Sequence, residues 1–297
     1  MDLKIFVFIL LTLPYVARSV NLGAACQNMW DNAVNNLIVP GELTVNRVAN
    51  GNPLFTVVNG GGGAAKLASN EFARFREILG DYQAVPFVLN QQHINDFITA
   101  VTQPNGPMEA ALNYLLTQHG SLPAGVTTLP QFRCVLEDLW FRNTNGFRDV
   151  FVGHKVNAND YNGFHNWYQF FLEQGRNPTQ TTNICFKQSP ELPAFVGNKR
   201  PQFLRDLSFT WRGATKAPAG SSSSMFVGTS PSFELALFTT CFLKGRGNAG
   251  GANPLPGQNR ITNCECNIND NGVSTVEVGT VENQNGEVVA AAPTNVH

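Results

Sequence analysis

The spacing of apolar positions changes near residue 145, and the change splits the chain into two kinds of texture. Before it, apolar side chains recur at helical intervals: Met29-Trp30, Phe72 to Leu79, Pro107 to Leu116, and Gln131 to Phe141, where Phe132, Val135, Leu136, Leu139 and Trp140 share one stripe. After it come short apolar runs between turn residues, which predict strands at Asp149 to Val152, Leu207 to Trp211, Leu235 to Leu243, Val273 to Val281 and Glu287 to Ala291. Helices followed by strands predict an α+β fold. Its helical part spans 20–145, and a β-rich part of antiparallel sheets with flanking helices spans 146–292. One helix interrupts the second part, since Phe164, Trp167, Tyr168, Phe171 and Leu172 recur at i, i+3, i+4, i+7 and i+8.

With Asn162 as the N-cap of that helix, His165 falls in its first turn and off the apolar stripe. Anions collect at such a position, and the same field favours the neutral imidazole, the form that acts as a base. Gly-rich stretches at 59–65 and 245–257 predict loops. The first ends in Lys66 without the G-K-[S/T] ending of a phosphate-binding loop. Ser230-Pro231 reads as a helix start, with serine at the cap and proline in the first turn.

The chain opens with Lys4, the apolar run Ile5 to Leu13 and the small residues around Ala17 and Ser19, a pattern that predicts a signal peptide over 1–19 and a secreted product. No later segment offers the 18 or so consecutive apolar residues of a membrane span. All six cysteines, Cys26, Cys134, Cys185, Cys241, Cys264 and Cys266, follow the leader and predict three disulfides in one of fifteen pairings. There is no N-x-[S/T] acceptor and no zinc-finger spacing. Cleavage after residue 19 removes Lys4, Arg18 and Asp2, leaving 18 basic and 20 acidic residues. Bulk charge therefore does not recruit a polyanion. Nucleic-acid contact would rest on local clusters such as Lys199-Arg200, Arg205, Arg212 and Lys216, or Lys244 and Arg246.

Five histidines bound the candidate chemistry: His93, His119, His154, His165 and His297. His154 and His165 flank one turn region, and Lys216 follows the strand ending in Trp211. Two imidazoles and a lysine are sufficient for transesterification by a ribose 2′-hydroxyl. One removes the 2′-OH proton, one protonates the leaving 5′-oxygen, and the ammonium offsets phosphorane charge. Trp211 and Phe226 are candidates for base stacking, and Ser221 to Ser224, Ser222 among them, for phosphate contact.

Four segments in order carry a resemblance: Gly146-Phe147-Arg148-Asp149-Val150-Phe151-Val152-Gly153, Gly163-Phe164-His165-Asn166-Trp167, Lys216 through Ser222, and Gly228-Thr229-Ser230-Pro231-Ser232-Phe233-Glu234. Together they resemble the EndoU family of poly(U)-specific endoribonucleases. The resemblance implies manganese-stimulated cleavage of single-stranded RNA at uridines, with His165 as general base and Lys216 as catalytic lysine. The family's other histidine would stand directly before Val-Phe, where this chain has Asp149, and an acidic residue would follow the next glycine, where it has His154. Acid and histidine have exchanged places, which makes His154 the substitute proton donor. In a regular strand the two would face opposite sides about 16 Å apart, and a bend at Gly153 would reunite them. Gly279-Thr280-Val281-Glu282 resembles a family Gly-Thr-x-Tyr, so Thr280 is a candidate base contact and Glu282 replaces a tyrosine. A second reading keeps the fold without catalysis, as a protein that binds RNA or a protein partner.

Overall fold

A computed structural model describes residues 21–46, 53–58, 60–82, 87–142, 146–155, 161–174, 185–188, 203–211, 214–216, 224–270 and 273–294. The leader over 1–19, Lys199-Arg200, Arg212, Ser222 and His297 lie outside them. The helical part contains α1 (Leu22–Asp31), α2 (Gly62–Leu67), α3 (Asn70–Asp81), α4 (Gln91–Val101), α5 (Pro107–Leu115) and α6 (Leu129–Trp140). A small hairpin, β1 (Leu43–Val45) with β2 (Phe55–Val57), sits among them. Local chemistry sets several helix ends. Asn21 caps α1 by accepting from the Ala24 N–H at 2.7 Å, and Thr128 with Gln131 closes a capping box on α6. α2 occupies part of the glycine stretch expected to be a loop, because Gly63 fits where a Cβ would lie 2.6 Å from the Glu42 carbonyl oxygen.

The second part holds β3 (His154–Lys155), β4 (Tyr161–Asn162), α7 (Trp167–Gln174), β5 (Cys185–Gln188), β6 (Leu204–Asp206), β7 (Ser208–Trp211), β8 (Ala214–Lys216), β9 (Ser224–Phe226), α8 (Pro231–Asn248), β10 (Arg260–Asn269), β11 (Val273–Glu282) and β12 (Val288–Pro293). Every pairing between these strands is antiparallel, in small sheets ordered β3-β4, β5-β7-β8, β6-β9 and β10-β11-β12. The fold is thus α+β, helices before sheets.

The run Leu235 to Leu243, expected as a strand, lies inside α8, and α8 continues into the second glycine stretch as far as Asn248. Every residue of the helix from Pro231 to Leu243 is buried, so no polar face marks the helical period. An apolar run of that kind carries no periodicity to tell helix from strand. Ser230 caps α8 by accepting from the Phe233 N–H, with Pro231 in the first turn. α8 packs on the inward face of β10-β11-β12, where Cys264, Cys266, Ile268, Val276, Val278 and Val288 are buried. Cys264 and Cys266, two residues apart on one strand, point to the same face and each takes a helical partner: Cys241 of α8 bonds Cys264, and Cys26 of α1 bonds Cys266. Closing sequence separations of 23 and 240 residues, these bridges contribute about 3 and about 5 kcal/mol in the chain-entropy model. A third bridge through Cys134 does not form, because Cys134 projects from the exposed face of α6 as a free thiol.

Aromatic contacts join the two parts into one continuous core. Phe75 of α3 meets Phe147 at 5.6 Å, Phe147 meets Phe151 at 5.0 Å, and Phe151 meets Phe238 of α8 at 5.9 Å between ring centres. Burial of each such ring contributes about 1.5–3 kcal/mol. The chain between Phe147 and Phe151 is therefore pinned from both sides.

Candidate active site

Three stretches meet around His165: Arg148 to His154, Asn162 to Trp167, and Ser224 to Glu234. The first departs from the expected strand and forms a π-helical turn over Arg148–Val152, closed by the Gly153 N–H donating to the Arg148 carbonyl at 2.8 Å. Gly153 then redirects the chain at φ 83° and ψ 148°. A Cβ at that position would stand 2.9 Å from the Cβ of Phe164. The turn brings Nδ1 of His154 to 3.0 Å from Oδ1 of Asp149, in place of the wide separation a strand imposes. The same oxygen accepts from Nε of Arg148 at 2.9 Å. The His154 contact lies off the line of the ring N–H, so it is a close approach rather than an aligned hydrogen bond. His154 keeps 30% of its side chain exposed against 13% for Asp149, which makes the histidine the accessible member of the pair.

In the second stretch, Asn162 pairs with His154 across β3-β4 and does not cap α7. Gly163 and Phe164 follow with φ of 74° and 66°. Two successive left-handed residues interrupt a right-handed helix, and for a phenylalanine the conformation is rare and strained. Gly163 is required by space as well, since a Cβ would fall 2.1 Å from the Asp149 carbonyl oxygen. Helix α7 therefore starts at Trp167, capped by Asn166, whose Oδ1 accepts from the Gln169 N–H at 2.8 Å. His165 stands just before the cap rather than in the first turn. Local hydrogen bonds hold it instead of the helix field: its N–H donates to the Val150 carbonyl, and Nδ1 to the Ser224 carbonyl, each at 3.0 Å. Because a carbonyl only accepts, Nδ1 carries a proton and Nε2 is the basic nitrogen of the neutral ring. The buried face of α7 is Trp167, Tyr168 and Phe170, while Phe171 and Leu172 are only half-buried.

The third stretch supports the second from below. Ser224 bonds through its hydroxyl to the Pro293 carbonyl at the end of β12, and Trp167 donates from Nε1 to the Thr229 carbonyl at 2.7 Å. Glu234 is fully buried and meets the Thr229 hydroxyl at 2.6 Å and Nδ2 of Asn166 at 3.1 Å. Burial pushes its carboxyl up to about 8, against the opposing hydrogen bonds of Thr229 and Asn166.

The remaining candidates divide. Backbone pairing sets Lys216 opposite Phe209, whose ring lies 5.1 Å from Phe164, so β8 runs close to the His165 turn. Trp211 is buried, with Nε1 donating to Glu173 at 3.0 Å and its ring 4.8 Å from Phe164. It buttresses the turn and offers no open face for a stacked base. Phe226 is likewise buried. Thr280 is buried on the α8 side of its sheet, between Thr262 and Ala291. Glu282, the residue in place of a tyrosine, is clamped by Arg246 at 3.0 Å and Arg260 at 2.6 Å. Arg246 is thereby committed to an internal pair rather than to a phosphate. Among the described residues no three His, Cys, Asp or Glu side chains form a metal-binding group, so those residues do not fit a protein-held manganese ion.

Comparison with known proteins identifies the family. The profile of the family described as Endoribonuclease XendoU matches residues 21–291. The chain belongs to this family.

Poly(U)-specific endoribonuclease-A of Xenopus laevis is 31% identical over 208 residues, which cover 64% of this chain and 65% of that protein. Uridylate-specific endoribonuclease C of Danio rerio is 30% identical over 210 residues, covering 64% and 61%. The chain thus spans just under two thirds of the length of these curated relatives. The solved structure titled "The structure of XendoU: a splicing independent snoRNA processing endoribonuclease" superposes with a TM-score of 0.65 at 24% identity, covering 93% of this chain and 97% of that one, and shows the shared fold. Within this XendoU-family fold, sequence reasoning did not single out Ser224, Asn166, Thr229 or Glu234 as a set. A signal was available. A serine cap followed by proline places Glu234 in the first turn of a helix in which it is the one acid and the run Leu235 to Phe238 follows directly, and an acid in such a setting needs partners.

Proposed function

We propose that this protein is a secreted endoribonuclease that cleaves single-stranded RNA at uridines, leaving a 2′,3′-cyclic phosphate and a 5′-hydroxyl. His165 takes the 2′-OH proton through Nε2, His154 donates a proton to the departing 5′-oxygen, and Lys216 offsets charge on the phosphorane. Ser222 contacts a phosphate oxygen. The observation that carries the reading is the bond from His165 Nδ1 to the Ser224 carbonyl, which fixes the tautomer a general base requires. Family membership and the approach of His154 to Asp149 support it. Secretion rests on the leader pattern over 1–19 and the two disulfides.

The test is cleavage of a uridine-containing oligoribonucleotide by the purified protein, with and without manganese, beside its deoxyribose counterpart, which lacks the nucleophile. His165→Ala and His154→Ala are each expected to lower the rate about 100-fold or more. Undiminished cleavage by His165→Ala removes the proposed base. One observation favours a second reading, an inactive RNA-binding protein: Asp149, paired with Arg148, stands where the family places a histidine. Cleavage seen only in Asp149→His would show that the natural chain is inactive.

A further inference from the structure

Glu234 takes no part in the proton transfers, yet it links the residue after His165 to the run that carries the ring's acceptor, Ser224. Its Oε2 meets Nδ2 of Asn166, the neighbour of His165, and its Oε1 meets the hydroxyl of Thr229. Asn166 uses its other side-chain atom to cap α7 and joins Phe226 in a parallel bridge. Trp167 donates to the carbonyl of the same Thr229. The imidazole hangs from Ser224, on the strand that leads into this run. A shift of the Ser224–Thr229 run relative to Asn166 would therefore turn the ring, and Glu234 is the side chain bonded to both. Among the described residues no Lys, Arg or His pairs with it, so no cation stabilises an ionised carboxylate there.

We propose that Glu234 is a positioning residue for His165 and works as an uncharged carboxylic acid, its carbonyl oxygen accepting from Asn166 and its O–H bonded to the Thr229 hydroxyl. The proposal rests on the reading of His165 as the base. Glutamine reproduces this arrangement atom for atom, because its Oε1 accepts and its Nε2 donates. Alanine leaves the Asn166 amide and the Thr229 hydroxyl without their partner.

The experiment compares wild type, Glu234→Gln and Glu234→Ala by kcat and KM on a uridine-containing oligonucleotide, and by the 15N resonances of the His165 ring. Glu234→Gln is expected to keep kcat within about 3-fold and to show Nδ1 protonated. Glu234→Ala is expected to lose about 30-fold or more in kcat with KM within about 3-fold, and to show the two tautomers mixed. A glutamine variant as impaired as alanine, or an alanine variant with wild-type kcat and tautomer, overturns the proposal. Should Glu234→Ala not fold, the near-isosteric Thr229→Val removes one arm of the lock. A loss of about 5-fold in kcat with tautomer mixing then supports the role, and no change in either refutes it. Wild-type protein without ribonuclease activity would sink the reading of the base, while the ring resonances would still decide the role of Glu234.

Discussion

Asp149 and Glu234 are both acids beside the candidate site, yet their surroundings give them opposite characters. Asp149 accepts from the Arg148 guanidinium, a permanent cation, and lies 3.0 Å from the His154 imidazole. Glu234 has only neutral partners among the described residues and no solvent, and burial holds its carboxyl near 8, far above the ordinary 4.5. The consequence for stability has a definite sign. Below about pH 4.5 the group is protonated in folded and unfolded chains alike, and Glu234 imposes no electrostatic penalty. As pH rises towards 8 only the unfolded chain releases the proton, so stability is progressively lost, by about 5 kcal/mol at the upper end. Glu71, also raised by burial, acts in the same direction but is untouched by a change at 234. Between pH 5 and pH 9 the melting temperature of wild type should thus fall further than that of Glu234→Gln, by on the order of 10 °C. Parallel curves in thermal melts would show that the buried group ionises freely.

Among the elements, the π-turn and the Gly163-Phe164 turn decide which groups meet. The π-turn supplies the Val150 carbonyl that takes the His165 N–H, and its exit at Gly153 folds His154 back over Asp149. Gly163 lets the second turn lie against the first, with its Cα hydrogens where any other residue would press a Cβ into the Asp149 carbonyl. Gly163→Ala is expected to destabilise the fold by about 2–4 kcal/mol, from the left-handed φ and the displaced backbone together. Cleavage should fall further than the unfolded fraction explains, since Gly163 lies two residues before His165 and the carbonyl it would displace belongs to Asp149, the neighbour of His154. Denaturant midpoints and rates measured on the folded fraction would separate the two effects, and a wild-type midpoint would contradict the close approach.

On the scale of the whole molecule, the C-terminal sheet acts as the frame that α1 and α8 are fastened to. Two disulfides do this covalently, and the Arg246-Glu282-Arg260 triad does it through charge, tying α8, β10 and β11 together. Glu282 is 2% exposed, so its removal leaves two guanidinium groups without their counter-ion. Glu282→Ala should destabilise the protein by about 3–5 kcal/mol in chemical unfolding, with base preference unchanged in the cleavage assay. A shift in preference at unaltered stability would instead return Glu282 to the substrate site.

Much of this was legible in the residues themselves. The helical stripes of α3, α5 and α6, the strands β11 and β12 of the C-terminal sheet, the Ser230 cap and the motif that carries His165 follow from local spacing and turn chemistry, which a linear sequence records, whereas β10, the third strand of that sheet, was not read from it. The sequence also held the exchange of acid and histidine at 149 and 154, but whether the two touch depended on a π-turn that spacing reads as a strand, and that the His165 N–H anchors at the Val150 carbonyl. α8 escaped because a helix buried on every side has no polar face to reveal its period. The support beneath His165 escaped for a related reason: Ser224, Asn166, Thr229 and Glu234 lie up to 68 positions apart, and what unites them is a set of hydrogen bonds that form only once the chain has excluded water from the space between them.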